Sequence, residues 1–284
     1  EFFTSPLPHD IERKASYRIS PATDDSPFFK FVRKDLGVLI PDPDRFADRS
    51  VADFVNTERL LRIPADVFHL LVLGMLAVLV AFFAVLAPLL LSGQWRLSWR
   101  GKWSTIAYFS LLGAGFIIIE LVLIQKCMKI IGYPLSAYSA VMVALLLSAG
   151  CGSYVSSHIV SGRTWKFVFP AILLCGFCLL AIFPALSDSV MHLGTPTRIV
   201  ASMAIIAPLG FFLGMPFPLG IRTLASQGKQ AVAWAWGMNG ISTVIGGLAS
   251  VVLSLFLGFD ITIIVALCLY MLAGFMLRRL ESFA

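Results

Sequence analysis

Seven stretches of this chain, 66–92, 104–131, 135–157, 166–187, 196–222, 230–257 and 260–279, are apolar over at least the length of helix that crosses a bilayer, which is ~20 residues. No single water-excluded core in a chain of 284 residues could hide so many runs, since 58% of the residues are hydrophobic and only 13% are charged. The fold class is therefore all-α, a polytopic membrane helix bundle. A formal net charge of +6 would suggest nucleic acid as partner of a soluble protein. Here the basic residues fall between spans, where positive-inside bias and lipid headgroups account for them, and no basic aromatic groove is visible.

The spans are organised around Ile205 to Gly247, where two apolar segments are broken by Pro, Gly and one Asn. Pro208, Pro216 and Pro218 each delete a backbone donor, and in hydrocarbon a freed carbonyl has to find a partner in protein or in a wet cavity. A break there belongs inside the bundle, against the span that carries Asn239. Gly210 and Gly214 form a small-xxx-small step. Gly237, Gly240, Gly246 and Gly247 surround Asn239 on the next helix, so both helices are expected to admit close neighbours.

Residues 1–62 form the long polar region, expected to be soluble or surface-lying and to be the tail of a soluble domain. Ser50 with Asp53 matches a capping box, and Val51, Phe54, Val55 and Leu61 follow helical spacing, which predicts a short interfacial helix before Pro64. Residues 63–284 are the transmembrane domain. The chain opens on Glu without a signal peptide, so a preceding part is expected. Trp95, Trp99, Trp103, Trp165, Trp234 and Trp236 fall near span ends and read as interfacial anchors.

Five cysteines lie in apolar segments, and the C-x-x-C of Cys175 and Cys178 has no second pair, His or charge beside it. It reads as packing residues, not as a metal or redox site. Dinucleotide, Walker and HExxH motifs are absent. No catalytic set, metal site or cofactor is expected.

Four polar residues are candidates for binding a substrate. Glu120 stands near the middle of the second span, where an ionisable group costs at least ~2.5 kcal/mol unless it faces protein or water. It is read either as a cation or proton site or as a hydrogen-bonded link between helices. Asn239 with Ser242, near the start of a later span, could bond freed carbonyls or a polar ligand. Arg222, at the end of the broken span, is a candidate ligand contact or a positive-inside anchor. Lys126 and Lys129 lie nearer the end of their span and are expected to snorkel.

Several stretches together resemble the membrane region of bacterial fusion proteins in which a spermidine-synthase-like domain is joined to transmembrane helices. They are PATDDSPFF (21–29), GFIIIELVLIQK (115–126), GYPLSAYS (132–139), SAGCGSYVSS (148–157), GMPFPLGIR (214–222) and AWAWGMNGISTVIGG (233–247). The resemblance covers nearly the whole chain. It implies an upstream aminopropyltransferase-like domain, a major-facilitator-like helix arrangement and a bacterial inner membrane. Neither the nucleoside-binding loop nor the catalytic Asp motif of such a domain is in this sequence, so no catalytic residue carries over. Two functions follow as expectations. The bundle binds or moves a small cation such as a polyamine, or it is a structural accessory that anchors a soluble domain or belongs to a larger membrane complex.

The connections WRLSWRGKW, SGRTWK and RTLASQGK and the C-terminal Arg278 and Arg279 are basic, whereas IGYP, SDSVMHLGTP and GFD are almost free of Lys and Arg. The positive-inside rule then puts the C terminus in the cytoplasm and residues 1–62 across the membrane from it. Single cysteines replacing Ser5 and Ser282 are expected to react with an impermeant maleimide from opposite sides. Labelling of both from one side would refute the count of seven spans.

Overall fold

The computed structural model describes residues 65–87, 91, 101–158, 165–224 and 229–282. The tail expected at 1–62 and its interfacial helix lie outside the described residues. Two units are distinguished along the chain, Glu1–Ala77 and Val78–Ala284. In the order of the sequence the helices are α1 (Ala65–Ala81, followed by a π-helical turn Phe82–Leu86), α2 (Lys102–Ile131), α3 (Pro134–His158) and α4 (Trp165–Val190). They continue with α5 (Thr195–Leu213), α6 (Pro216–Leu224), α7 (Lys229–Leu257) and α8 (Phe259–Glu281). No strand occurs among the described residues.

Six helical segments are long and apolar enough to cross a membrane, α5 and α6 together counting as one. The last six spans expected from the sequence coincide with them to within three residues at each end. The first, expected at 66–92, appears as the apolar α1 and its π turn. The bundle is thus of the polytopic membrane type, and its outward-facing side chains agree with that reading. Leu146, Leu147, Phe167, Leu174, Val200 and Phe275 are all exposed, as they can be without penalty where the surroundings are hydrocarbon.

Within the second unit α2 is the central helix. It packs along α7 and α8 and also touches α3, while α5 lies against α3 and α4, and α4 reaches α8. Burial follows this arrangement. Tyr108, Phe109, Ile118, Ile119, Leu123, Ile130 and Ile131 of α2 are almost wholly enclosed. Two turns between helices depend on glycine. Gly132 (φ 84°) closes α2, its N–H donating to the Met128 carbonyl at 2.9 Å, and Pro134 then opens α3 where its missing donor is not needed. Gly258 (φ 86°) is the single residue between α7 and α8. The Thr262 hydroxyl donates back to its carbonyl at 2.7 Å.

Small residues bring the helix backbones together, although not everywhere that the sequence suggests. A Cβ added at Gly152 of α3 would overlap the Phe211 carbonyl of α5, and one at Gly214 would overlap backbone atoms of Ala149 on α3. Gly113 on α2 likewise meets the Asn239 carbonyl of α7, and Gly246 on α7 meets the Ala114 backbone. Gly150 and Gly240, by contrast, face open space. Gly240 therefore does not help seat a neighbouring helix, because it falls on the outer side of α7.

This contrast generates a direct test. Gly152→Ala and Gly214→Ala are each expected to lower stability in detergent by about 1–3 kcal/mol, the usual cost of overpacking. Gly150→Ala is expected to be neutral or to stabilise by up to about 1 kcal/mol through its better helix propensity. Thermal or denaturant melting of the purified variants reads the difference.

Candidate functional site

Three prolines are candidates to break the span after α4, and only two of them do. Pro208 sits inside α5, which continues unbroken from Thr195 to Leu213. One missing donor leaves the helical ladder intact on both sides of it. Pro216 and Pro218 remove two donors in quick succession, and the chain leaves the helix at Gly214 and Met215 before α6 begins. The Met215 N–H donates to the Phe212 carbonyl at 3.2 Å. That carbonyl is the one Pro216 would have served in a continuous helix.

The break is enclosed by protein. Met215 and Pro216 are buried and Pro218 is half-buried. The buried Tyr108 hydroxyl on α2 donates to the Pro216 carbonyl at 2.6 Å. Rings continue the contact, with Phe109 and Phe217 at 5.2 Å, and Phe217 and Trp236 at 4.7 Å, both edge-to-face. Gly220 of α6 gives room for the Tyr108 and Phe109 rings. The expected partner of the break was the helix of Asn239. At Gly214 the backbone instead lies close against α3 at Ala149, and the hydrogen bond comes from α2. The α7 helix contributes Trp236, three residues before Asn239.

Asn239 itself crosses to α2. Its Nδ2 donates to the Phe109 carbonyl at 3.2 Å, and the Thr243 hydroxyl donates to the Asn239 carbonyl at 2.9 Å. Gly113 makes this possible, since any side chain there would strike the Asn239 backbone. Interhelical bonds of this kind contribute about 0.6 kcal/mol on average in a bilayer. Ser242, just beyond, is buried. Arg222 also bridges helices, its guanidinium donating to the Ser156 carbonyl near the end of α3 at 2.7 Å. An exposed Arg that occupies a last-turn carbonyl fastens the end of α3 to α6 and complements the helix dipole.

Glu120 is half-buried on α2, seven residues beyond Gly113 and so about 10 Å further along nearly the same face. That face lies against α7, where Gly246 and Gly247 come close to Ile117, and Gly247 also to Leu121. Glu120 makes no hydrogen bond or ion pair with any described residue. The structure therefore brings Asn239 and the break into one polar and aromatic cluster, and it leaves Arg222 at the far end of α6 and Glu120 further along α2. No group of three or more His, Cys, Asp and Glu residues able to hold a metal occurs among the described residues.

Several polar contacts escaped sequence reasoning. Lys126, expected to snorkel, has a side chain only 9% exposed and pairs with Asp260 of α8 at 2.6 Å, while its Nζ lies 5.1 Å from the Phe183 ring centre on α4. Three helices thus meet at one lysine. Asp260 is 45% exposed, so solvent weakens the pair at that end. Arg198 gathers the Leu193 carbonyl at 2.9 Å, the Ile130 carbonyl at 3.4 Å and the Met191 carbonyl. It fastens the end of α2 to the turn before α5. Trp234, expected as an interfacial anchor, is buried, with Lys102 Nζ 5.5 Å from its ring centre. Cys178, expected in packing, faces outward as a free thiol. The signal for Gly152 was present in Ser148, Gly152 and Ser156, small residues four apart on one helix face. For Arg198 no local pattern distinguishes a carbonyl clamp from an ordinary charge near a span end.

No family model, no curated protein and no solved structure matches this chain.

Proposed function

We propose that this chain is the membrane domain of a spermidine-synthase-like fusion protein and that its bundle serves as a non-catalytic anchor and scaffold. The fusion rests on the sequence resemblance alone, and the observation that supports the scaffold role is how the polar candidates are used. Asn239 and Arg222 both donate to main-chain carbonyls of a neighbouring helix, as do Tyr108 and Arg198. Groups spent in this way hold helices in register and are not offered to a ligand. A permeation path for a polyamine would need several acceptors along one lumen to replace the water around each ammonium. No group of three or more His, Cys, Asp and Glu residues gathers around Glu120 or elsewhere among the described residues. The major-facilitator-like arrangement, the inner-membrane location and the cytoplasmic C terminus belong to the same proposal. So do an upstream soluble domain or further membrane subunits as partners.

One observation favours the second reading, a cation-binding bundle. Glu120 is half-buried in a span and has no partner among the described residues, and a carboxylate held at that depth attracts a small cation or a proton. Glu120→Gln preserves shape and removes charge, whereas Glu120→Leu removes both charge and polarity. The scaffold reading expects labelled spermidine to bind no more strongly to the native protein than to either variant. Specific binding that Glu120→Gln abolishes without lowering the melting temperature would overturn the scaffold reading in favour of the cation site.

A further inference from the structure

Inside a span, Glu120 of α2 has no hydrogen bond or ion pair with any described residue. It stands eleven residues before the end of α2 and eighteen after its start, about 16 Å and 27 Å from the two ends. A glutamate side chain is too short to carry its carboxylate to the headgroups from that depth, unlike the longer basic side chains that snorkel. The next charged residue along the helix, Lys126, is turned about 120° away and is paired with Asp260. Glu120 is only half-buried, as are Ile117 and Leu121 beside it, so this side of α2 is partly open to the surroundings of the bundle. The adjoining strip of α7 is shallow. Gly247 carries no side chain, a Cβ there would meet Ile117 and Leu121 only at 3.9 Å, and Val251 one turn on is 39% exposed.

We infer that this side of α2 and α7 seats a transmembrane helix of another polypeptide, and that the helix brings a lysine or arginine to Glu120. The inference rests on the scaffold reading and names the chemistry of the membrane subunit that such a scaffold holds. The argument is charge complementarity at depth. Hydrocarbon offers a carboxylate no donor, and the main-chain N–H groups of the neighbouring helices are already engaged. Charges inside a membrane are relieved chiefly by pairing with one another. A basic side chain on a helix reaches this depth with its backbone already hydrogen-bonded, so only its charged head has to be matched. A free ammonium ion from water would shed its hydration for a single carboxylate. The headgroups of phospholipids lie too far out to serve.

Resonance energy transfer in phosphatidylcholine vesicles tests this on the full 284-residue chain. The probes are synthetic polyleucine helices of about 20 residues, one with a single central lysine and one with leucine there. The native protein is expected to bind the lysine helix on the order of tenfold more tightly than the leucine helix, the range of a favourable polar contact between membrane helices. Glu120→Gln is expected to abolish the preference and Glu120→Asp to keep part of it. Gly247→Leu, which raises a side chain on the shallow strip, is expected to weaken binding of the lysine helix. Leu146 on α3 is exposed and lies at a comparable depth, twelve residues from the end of α3 that adjoins α2. Moving the carboxylate there, with Glu120→Gln and Leu146→Glu together, is expected not to restore the preference. Full restoration would overturn the assignment to this side of the bundle. A preference undiminished in Glu120→Gln, or none in the native protein, would overturn the inference and leave the scaffold reading standing. Spermidine that binds the native protein and displaces the lysine helix, with both effects lost in Glu120→Gln, would overturn the two together. Melting curves in detergent establish that each variant compared is folded.

Discussion

The interruption between α5 and α6 is the constraint to which much of the bundle answers. In hydrocarbon a backbone polar group without a partner costs several kcal/mol, so a helix that loses two donors at Pro216 and Pro218 has to be walled in by protein. The walls are specific. Gly152 and Gly214 let the backbones of α3 and α5 meet, Tyr108 donates to the Pro216 carbonyl from α2, and Phe217 seats against Phe109 and Trp236. Each of these needs another helix at a fixed height. Their combined effect is to set the register of α2, α3 and α7 around the break.

The same logic recurs away from the break and separates structural from ligand-binding polarity. A donor inside a membrane bundle finds helical carbonyls on every side, and the nearest acceptor of the next helix is the cheapest partner. Asn239 takes Phe109, Arg222 takes Ser156, and Arg198 takes Ile130 together with the turn before α5. Acidic side chains have no such recourse, because the main-chain N–H groups within a helix are already engaged. Asp260 resolves this by pairing with Lys126. Glu120 does not, which is why it remains the one candidate whose role turns on charge.

Much of the fold was legible in the sequence because the bilayer enforces helix and length. The ends of α2, α3, α4, α7 and α8 follow from apolar run length and from Gly and Pro at the turns, as at Gly132 and Pro134. What the sequence did not reveal is rotation about each helix axis. Every face of α3 or α7 is apolar enough to meet either lipid or protein, so the apolar pattern by itself could not tell Gly152, buried in a helix crossing, from Gly150, which faces outward, and only the four-residue spacing of Ser148, Gly152 and Ser156 marks that face. Pro208 failed as a break signal for a related reason, since one missing donor does not interrupt a helix that is hydrogen-bonded on both sides of it. Lys126 reached Asp260 across 134 positions of sequence, and nothing local to either residue announces the other.

The account rests on the Tyr108 hydroxyl and its carbonyl partner at the break, and Tyr108→Phe isolates that bond because the ring remains in place. Hydrogen exchange of the chain in detergent or nanodiscs, followed on the peptides that cover 210–224, is the direct measurement. The account predicts faster exchange confined to the turn of α6 after Pro216, with a loss of about 1 kcal/mol in stability. Unchanged exchange and unchanged stability in Tyr108→Phe would contradict it.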